Sequence, residues 1–87
     1  MPKAQVAPQD HLRRVLGDWV VEVERSGDLV VLRTPPGSAH VVGSAIDRAG
    51  VVGVIGSLAG DDTLLLISTQ GQGPAVADRI HDLAGLT

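Results

Sequence analysis

The chain has 87 residues, which is room for one small domain and no second core. Hydrophobic residues make up 44% and predict a folded chain; Trp19 is the only aromatic residue, so the core must be Val, Leu, Ile and Ala, and base stacking on aromatic platforms is excluded as a main binding mode. A net charge of −3 with seven basic residues argues against nucleic-acid binding by this chain alone, and the absence of cysteine excludes disulfides, thiolate metal sites and a cysteine nucleophile.

Residues 1–8 carry two prolines, a lysine and a glutamine without periodicity, and read as a tail or linker remnant of a longer protein. They lack the apolar stretch of a signal peptide, and no later run approaches the roughly 20 apolar residues of a membrane span, so a cytoplasmic protein is expected. Residues 9–18 read as a short helix. Pro8 and Asp10 are start signals, Leu12, Val15 and Leu16 form the apolar stripe, and Gly17 reads as the stop. Arg13 and Arg14 take the other face, where solvation is the simplest role because no further basic residues join them.

Residues 19–25 alternate, with Trp19, Val21 and Val23 on one side and Glu22 and Glu24 on the other, the pattern of a half-buried strand. Ser26-Gly27-Asp28 is a hairpin turn. Leu29 to Leu32 is apolar without alternation and predicts a strand covered on both faces. Pro35-Pro36-Gly37 forces a turn, and residues 38–49 read as a helix with Ala39, Val42, Ala45, Ile46 and Ala49 on one stripe and Gly50 as its stop. His40 and Asp47 stand seven residues apart, two helical turns, and project from about the same side; Gly43 between them bares the backbone for close approach of a strand or a ligand. Each of the two polar residues is equally readable as solvated helix surface.

Residues 51–58 form a third strand whose Gly53 and Gly56 suggest a bulge or close backbone approach. Gly60-Asp61-Asp62-Thr63 is a tight turn, and residues 63–69 form a fourth strand with Leu64 to Ile67 apolar on both faces. The adjacent aspartates have two readings. They cap local N–H groups and stay solvated, or they present a pre-positioned negative site to a guanidinium, an ammonium or a metal. Pro74 is well placed at the first position of a last helix, with Val76, Ala77, Ile80, Leu83 and Ala84 inside, Asp78, Arg79, His81 and Asp82 outside, and Gly85 ending it.

The order αββαββα with hairpin connections predicts a two-layer α/β (α+β) domain, a mostly antiparallel four-stranded sheet with helices packed on it. Helices of such a domain cover one sheet face. The strands at 29–32 and 64–67 are apolar on both, so the second face calls for a partner, and in so small a chain the candidate is another copy.

Three segments, Pro36-Gly37-Ser38-Ala39-His40, Ser44-Ala45-Ile46-Asp47 and Gly56-Ser57-Leu58-Ala59-Gly60-Asp61-Asp62-Thr63, resemble in order and spacing the C-terminal domain of the bacterial arginine repressor. The resemblance covers about residues 20–86, and Ala-Gly-Asp-Asp-Thr after a glycine-rich strand is its most specific part. That family often has Thr-Ile where this chain has Ser57-Leu58, and Gln or Asn where it has His40, which can still donate and accept.

The resemblance implies that residues 9–87 are an arginine-binding and oligomerisation domain, forming trimers that stack in pairs as a hexamer. L-arginine is implied as corepressor at the trimer–trimer interface, with no metal. The guanidinium-binding aspartates match Asp61 and Asp62, one of them reaching into a site on the facing trimer. The residues holding the amino acid's backbone end match His40 and Asp47, with main-chain groups near Ala59 and Gly60. Operator DNA is met only through an N-terminal winged-helix domain outside this sequence, and no membrane partner is implied. Two other classes compete. A metal-dependent hydrolase would use Asp61 and Asp62 with Asp47 and His40, but the sequence shows no nucleophile–base pair and no phosphate loop. An ACT-type amino-acid-binding module of an enzyme has a similar element order but lacks the Ala-Gly-Asp-Asp-Thr turn.

Overall fold

The computed structural model describes residues 8–86, with the side chain of Pro8 excepted; the tail expected at 1–8 otherwise lies outside the described residues. The elements are α1 (Pro8–Trp19), β1 (Glu22–Ser26), β2 (Leu29–Arg33), α2 (Ala39–Ala49), β3 (Val54–Ala59), β4 (Thr63–Ser68) and α3 (Gly73–Leu83). The strands form one sheet in the order β1-β2-β4-β3, every neighbouring pair antiparallel. Two hairpins are thus joined through their second strands. The expected αββαββα two-layer arrangement holds.

One cross-strand row explains the layers. Paired residues point to the same face, and the row Val23–Leu32–Leu64–Ala59 faces the helices. Leu32 and Leu64 are buried there with Val30 and Leu66. They share one core with Leu12 and Leu16 of α1, Val42 and Ile46 of α2, and Val76 and Ile80 of α3. Helix α2 lies mainly on the β3–β4 side and α3 on the β1–β2 side, with α1 packed against both helices. Among the described residues no helix is long and apolar enough to cross a membrane.

The end of the first helix needs correction. Gly17 does not stop the first helix: α1 continues to Trp19, and the Val20 N–H still reaches the Leu16 carbonyl at 2.9 Å. Trp19 therefore closes a helix instead of opening a strand, and Val21 is exposed; of the three residues expected inward, only Val23 packs on the core. The physical reason is tertiary. Continuing the helix buries Leu16 and Val20, which outweighs the roughly 1 kcal/mol that glycine costs in a helix interior. The apolar runs agree with the two-layer expectation, in which the helices cover one sheet face and leave the other open. Within this chain β2 and β4 are covered on one face only: Val30, Leu32, Leu64 and Leu66 are buried, Val31, Leu65 and Ile67 half-buried, and Leu29 is 42% exposed. A smaller difference is that the third strand begins at Val54, because Val51 to Gly53 form a turn.

The reading of the second helix stands. Gly50 takes the left-handed conformation (φ 66°) and its N–H reaches the Ile46 carbonyl, the stop that only glycine adopts without strain. Gly43 permits close approach as expected, since a Cβ there would stand 3.2 Å from Leu64 Cδ1.

Candidate functional site

A cleft of about 380 Å³ opens between α2 and β3. Helix α2 supplies His40, Gly43, Ser44 and Asp47, and β3 supplies Ser57, Leu58 and Ala59. The helical spacing does what it promised, placing His40 and Asp47 along one wall two turns apart. Both are exposed. The Ser57 hydroxyl donates across the cleft to Asp47 Oδ1 at 3.2 Å. The cleft thus offers one carboxylate, one imidazole, two hydroxyls and a strand backbone, in a space of the size that small ligands occupy.

The aspartate turn is built separately and held by its own backbone. The Gly60 N–H donates to the Thr63 carbonyl at 2.8 Å and closes it. The Asp61 carbonyl accepts from the N–H of Gly37 at 2.9 Å and of Ala39 at 3.4 Å, so it takes up free donors at the start of α2. Ser38 makes no side-chain cap there, and the Asp61 carbonyl stands in for it. The Asp62 carbonyl accepts from the Thr34 N–H at 2.8 Å. The turn is therefore locked to the 34–39 loop while both carboxylates remain exposed.

The two carboxylates differ. Asp62 Oδ1 accepts from the Thr63 hydroxyl at 3.0 Å, and that hydroxyl accepts from Arg33 Nη1 at 2.9 Å. Asp61 accepts no side-chain hydrogen bond of this kind among the described residues, so its carboxylate is the freer of the two.

The structure brings His40, Asp47 and Ala59 together in one cleft and leaves Gly60, Asp61 and Asp62 outside its lining, on the turn that follows β3. Ser44 and Ser57 join the cleft without having been singled out for it. Ser44 was legible in principle, four residues after His40 on the same helix face; Ser57 was not, because its facing depends on an irregularity in β3. Among the described residues no three His, Asp or Glu side chains cluster as a metal-ligand set.

The comparisons with known proteins bear on this geometry. The family model for the arginine repressor C-terminal domain matches residues 16–82. An arginine repressor from Halothermothrix orenii (strain H 168) is 37% identical over 73 residues, which is 83% of this chain and 49% of that protein. The chain therefore spans about half the length of the curated relative it matches. The match covers α2, the cleft, the aspartate turn and both hairpins, and it names a repressor domain instead of an ACT-type module. On this match and this fold, the chain belongs to the family of arginine repressor C-terminal domains.

Proposed function

We propose that this chain is the ligand-sensing and oligomerisation domain of an arginine-responsive transcriptional regulator of arginine metabolism, binding L-arginine as corepressor where two trimers meet in a hexamer. The observation that carries the reading is the division of the polar groups. One end of the site is a cleft with Asp47 and His40, sized for the charged backbone end of an amino acid. The other end is an exposed aspartate pair that is pinned by main-chain hydrogen bonds and lies outside the lining of its own cleft. A ligand with an ammonium at one end and a guanidinium at the other would satisfy both if the aspartates came from a facing copy. A guanidinium is planar, permanently charged and rich in donors, and carboxylates match it in charge and in fork geometry.

The assembly reading is supported by the sheet. Its helix-free face carries Leu29, Val31, Leu65 and Ile67, with Leu58 64% exposed and Ile55 69% exposed toward the β3 edge. Like-charged aspartates meeting at an interface repel, and arginine would neutralise them while touching both copies, so it would favour the assembled state by mass action. Operator binding belongs, in this reading, to an N-terminal domain outside these residues, and a cytoplasmic site of action follows from the proposed role. With a net charge of −3 this domain is poorly suited to contact DNA itself.

Light-scattering-coupled size exclusion of the chain with L-arginine, with citrulline and without ligand tests the proposal. Citrulline keeps the shape and replaces the guanidinium by a neutral group. The larger assembly should be stabilised by arginine alone. Asp61→Asn should lose that response while trimers persist. An assembly state indifferent to arginine would refute the reading.

A further inference from the structure

The strand that lines the cleft is out of step with its partner by one residue. Val54 pairs with Ser68, but Gly56 pairs with Ile67, leaving Ile55 as an extra residue on β3. Such a bulge inverts the facing of everything beyond it, because side chains alternate with a period of two. In an unbroken register from Val54, Ser57 would pair with Leu65 and lie on the helix-free face. With the bulge it pairs with Leu66, whose row is buried under the helices, and it stands beside α2. There its hydroxyl donates to Asp47 Oδ1. The partner strand β4 has no such irregularity along β2, where Leu29 to Arg33 pair with Ile67 to Thr63 without a shift.

We propose that Ser57 is a positioning residue for the ligand's α-ammonium: the β3 bulge turns it toward α2, and its hydroxyl holds one oxygen of Asp47 so that the other faces the cleft. This rests on the reading that Asp47 receives the ammonium of L-arginine. Asp47 is an exposed helix side chain that is otherwise free to take several rotamers. Among the described residues Ser57 is the only side chain hydrogen-bonded to it, and Oδ2 accepts from none. Holding the carboxylate before the ligand arrives lowers the ordering cost of binding. The half-buried Ser57 reaches the carboxylate from the strand, opposite the helix that carries it.

The test is calorimetric titration of the chain with L-arginine and with 5-guanidinopentanoate, which has the same guanidinium and carboxylate but no α-amino group. Three forms are compared: wild type, Ser57→Ala and Ser57→Thr, each checked for unchanged thermal unfolding. Wild type should prefer L-arginine. Ser57→Ala should weaken L-arginine about five- to tenfold, the scale of one hydrogen bond, and leave the analogue unchanged. Ser57→Thr keeps the hydroxyl and should restore the preference. If wild type prefers L-arginine and Ser57→Ala keeps the full preference, the role of Ser57 is overturned and the site reading stands. If Ser57→Ala weakens both ligands equally, the residue is merely structural and the proposal fails. If wild type binds both ligands equally, Asp47 does not read the ammonium, and the site reading fails together with the role given to Ser57.

Discussion

Asp28 sits in the β1–β2 turn, and its carboxylate accepts the N–H of Gly71 at 3.0 Å and of Gly73 at 2.8 Å. Gly73 approaches so closely that a Cβ there would stand 2.6 Å from the Asp28 Cα and would collide with the Gly27 carbonyl. The start of α3 is thus clamped to the first hairpin. The Gly71 and Gly73 donors, with Arg25 nearby, hold the Asp28 carboxyl below its ordinary value of 3.8. A group that binds its proton more weakly when folded stabilises the fold above its unfolded pKa and loses that contribution as pH falls through the folded value. Asp28→Asn should therefore lower the urea midpoint at neutral pH, and the gap to wild type should close as pH drops below 3.8. Parallel urea titrations of both forms across that range measure it. Asp28 was legible as a turn residue, but its partners lie more than forty residues away in sequence and no local pattern announces them. Asp61 and Asp62 show the opposite case. Their placement on a tight turn was legible because glycine, aspartate and threonine all have local reasons to turn. The direction each carboxylate faces was not.

At the level of elements, α1 and β3 carry the informative departures. Gly17 is exposed, a Cβ there would meet nothing within 4 Å, and its backbone stays helical instead of turning left-handed. Gly17→Ala should therefore stabilise the chain by about 0.5–1 kcal/mol, read as a higher thermal midpoint. Gly50 and Gly17 look alike in sequence, each following an apolar helical stripe. Only Gly50 terminates its helix, because Val51 to Gly53 then turn the chain toward β3, while Leu16 and Val20 reward continuation of α1 by burial. The glycines in β3 and in the turn before it did signal an irregularity. Gly56 follows the bulge, and Gly53 lies where a Cβ would be 2.9 Å from Val76 Cγ2. The bulge's consequence for Ser57 is a matter of phase against β4, and phase exists only between two strands.

Across the whole molecule, the alternation along β4 separates two kinds of leucine that look identical in sequence. Leu64 and Leu66 are buried under the helices, while Leu65 and Ile67 lie half-buried on the helix-free face. Leu66→Ala should cost about 2–5 kcal/mol of stability by leaving a cavity. On the proposal that the helix-free face joins copies, Ile67→Glu should leave the isolated fold intact and lower the assembled mass, which light scattering and circular dichroism on the same sample will separate. An unfolded Ile67→Glu chain would show instead that this face is needed by the fold itself. The β1 edge carries Glu22, Glu24 and Arg25 and is protected by charge, whereas the β3 edge exposes Ile55 and Leu58 and is the less protected one.

The sequence by itself determined the element order, the apolar stripes, the turns and the family, because each of these is written in local periodicity or in contiguous motifs. Only the tertiary structure decided which face of β2 and β4 is covered, where α1 ends, and which side of the cleft Ser57 joins. Those outcomes depend on contacts between distant segments: helix burial overriding a glycine, and one unpaired residue against a neighbouring strand.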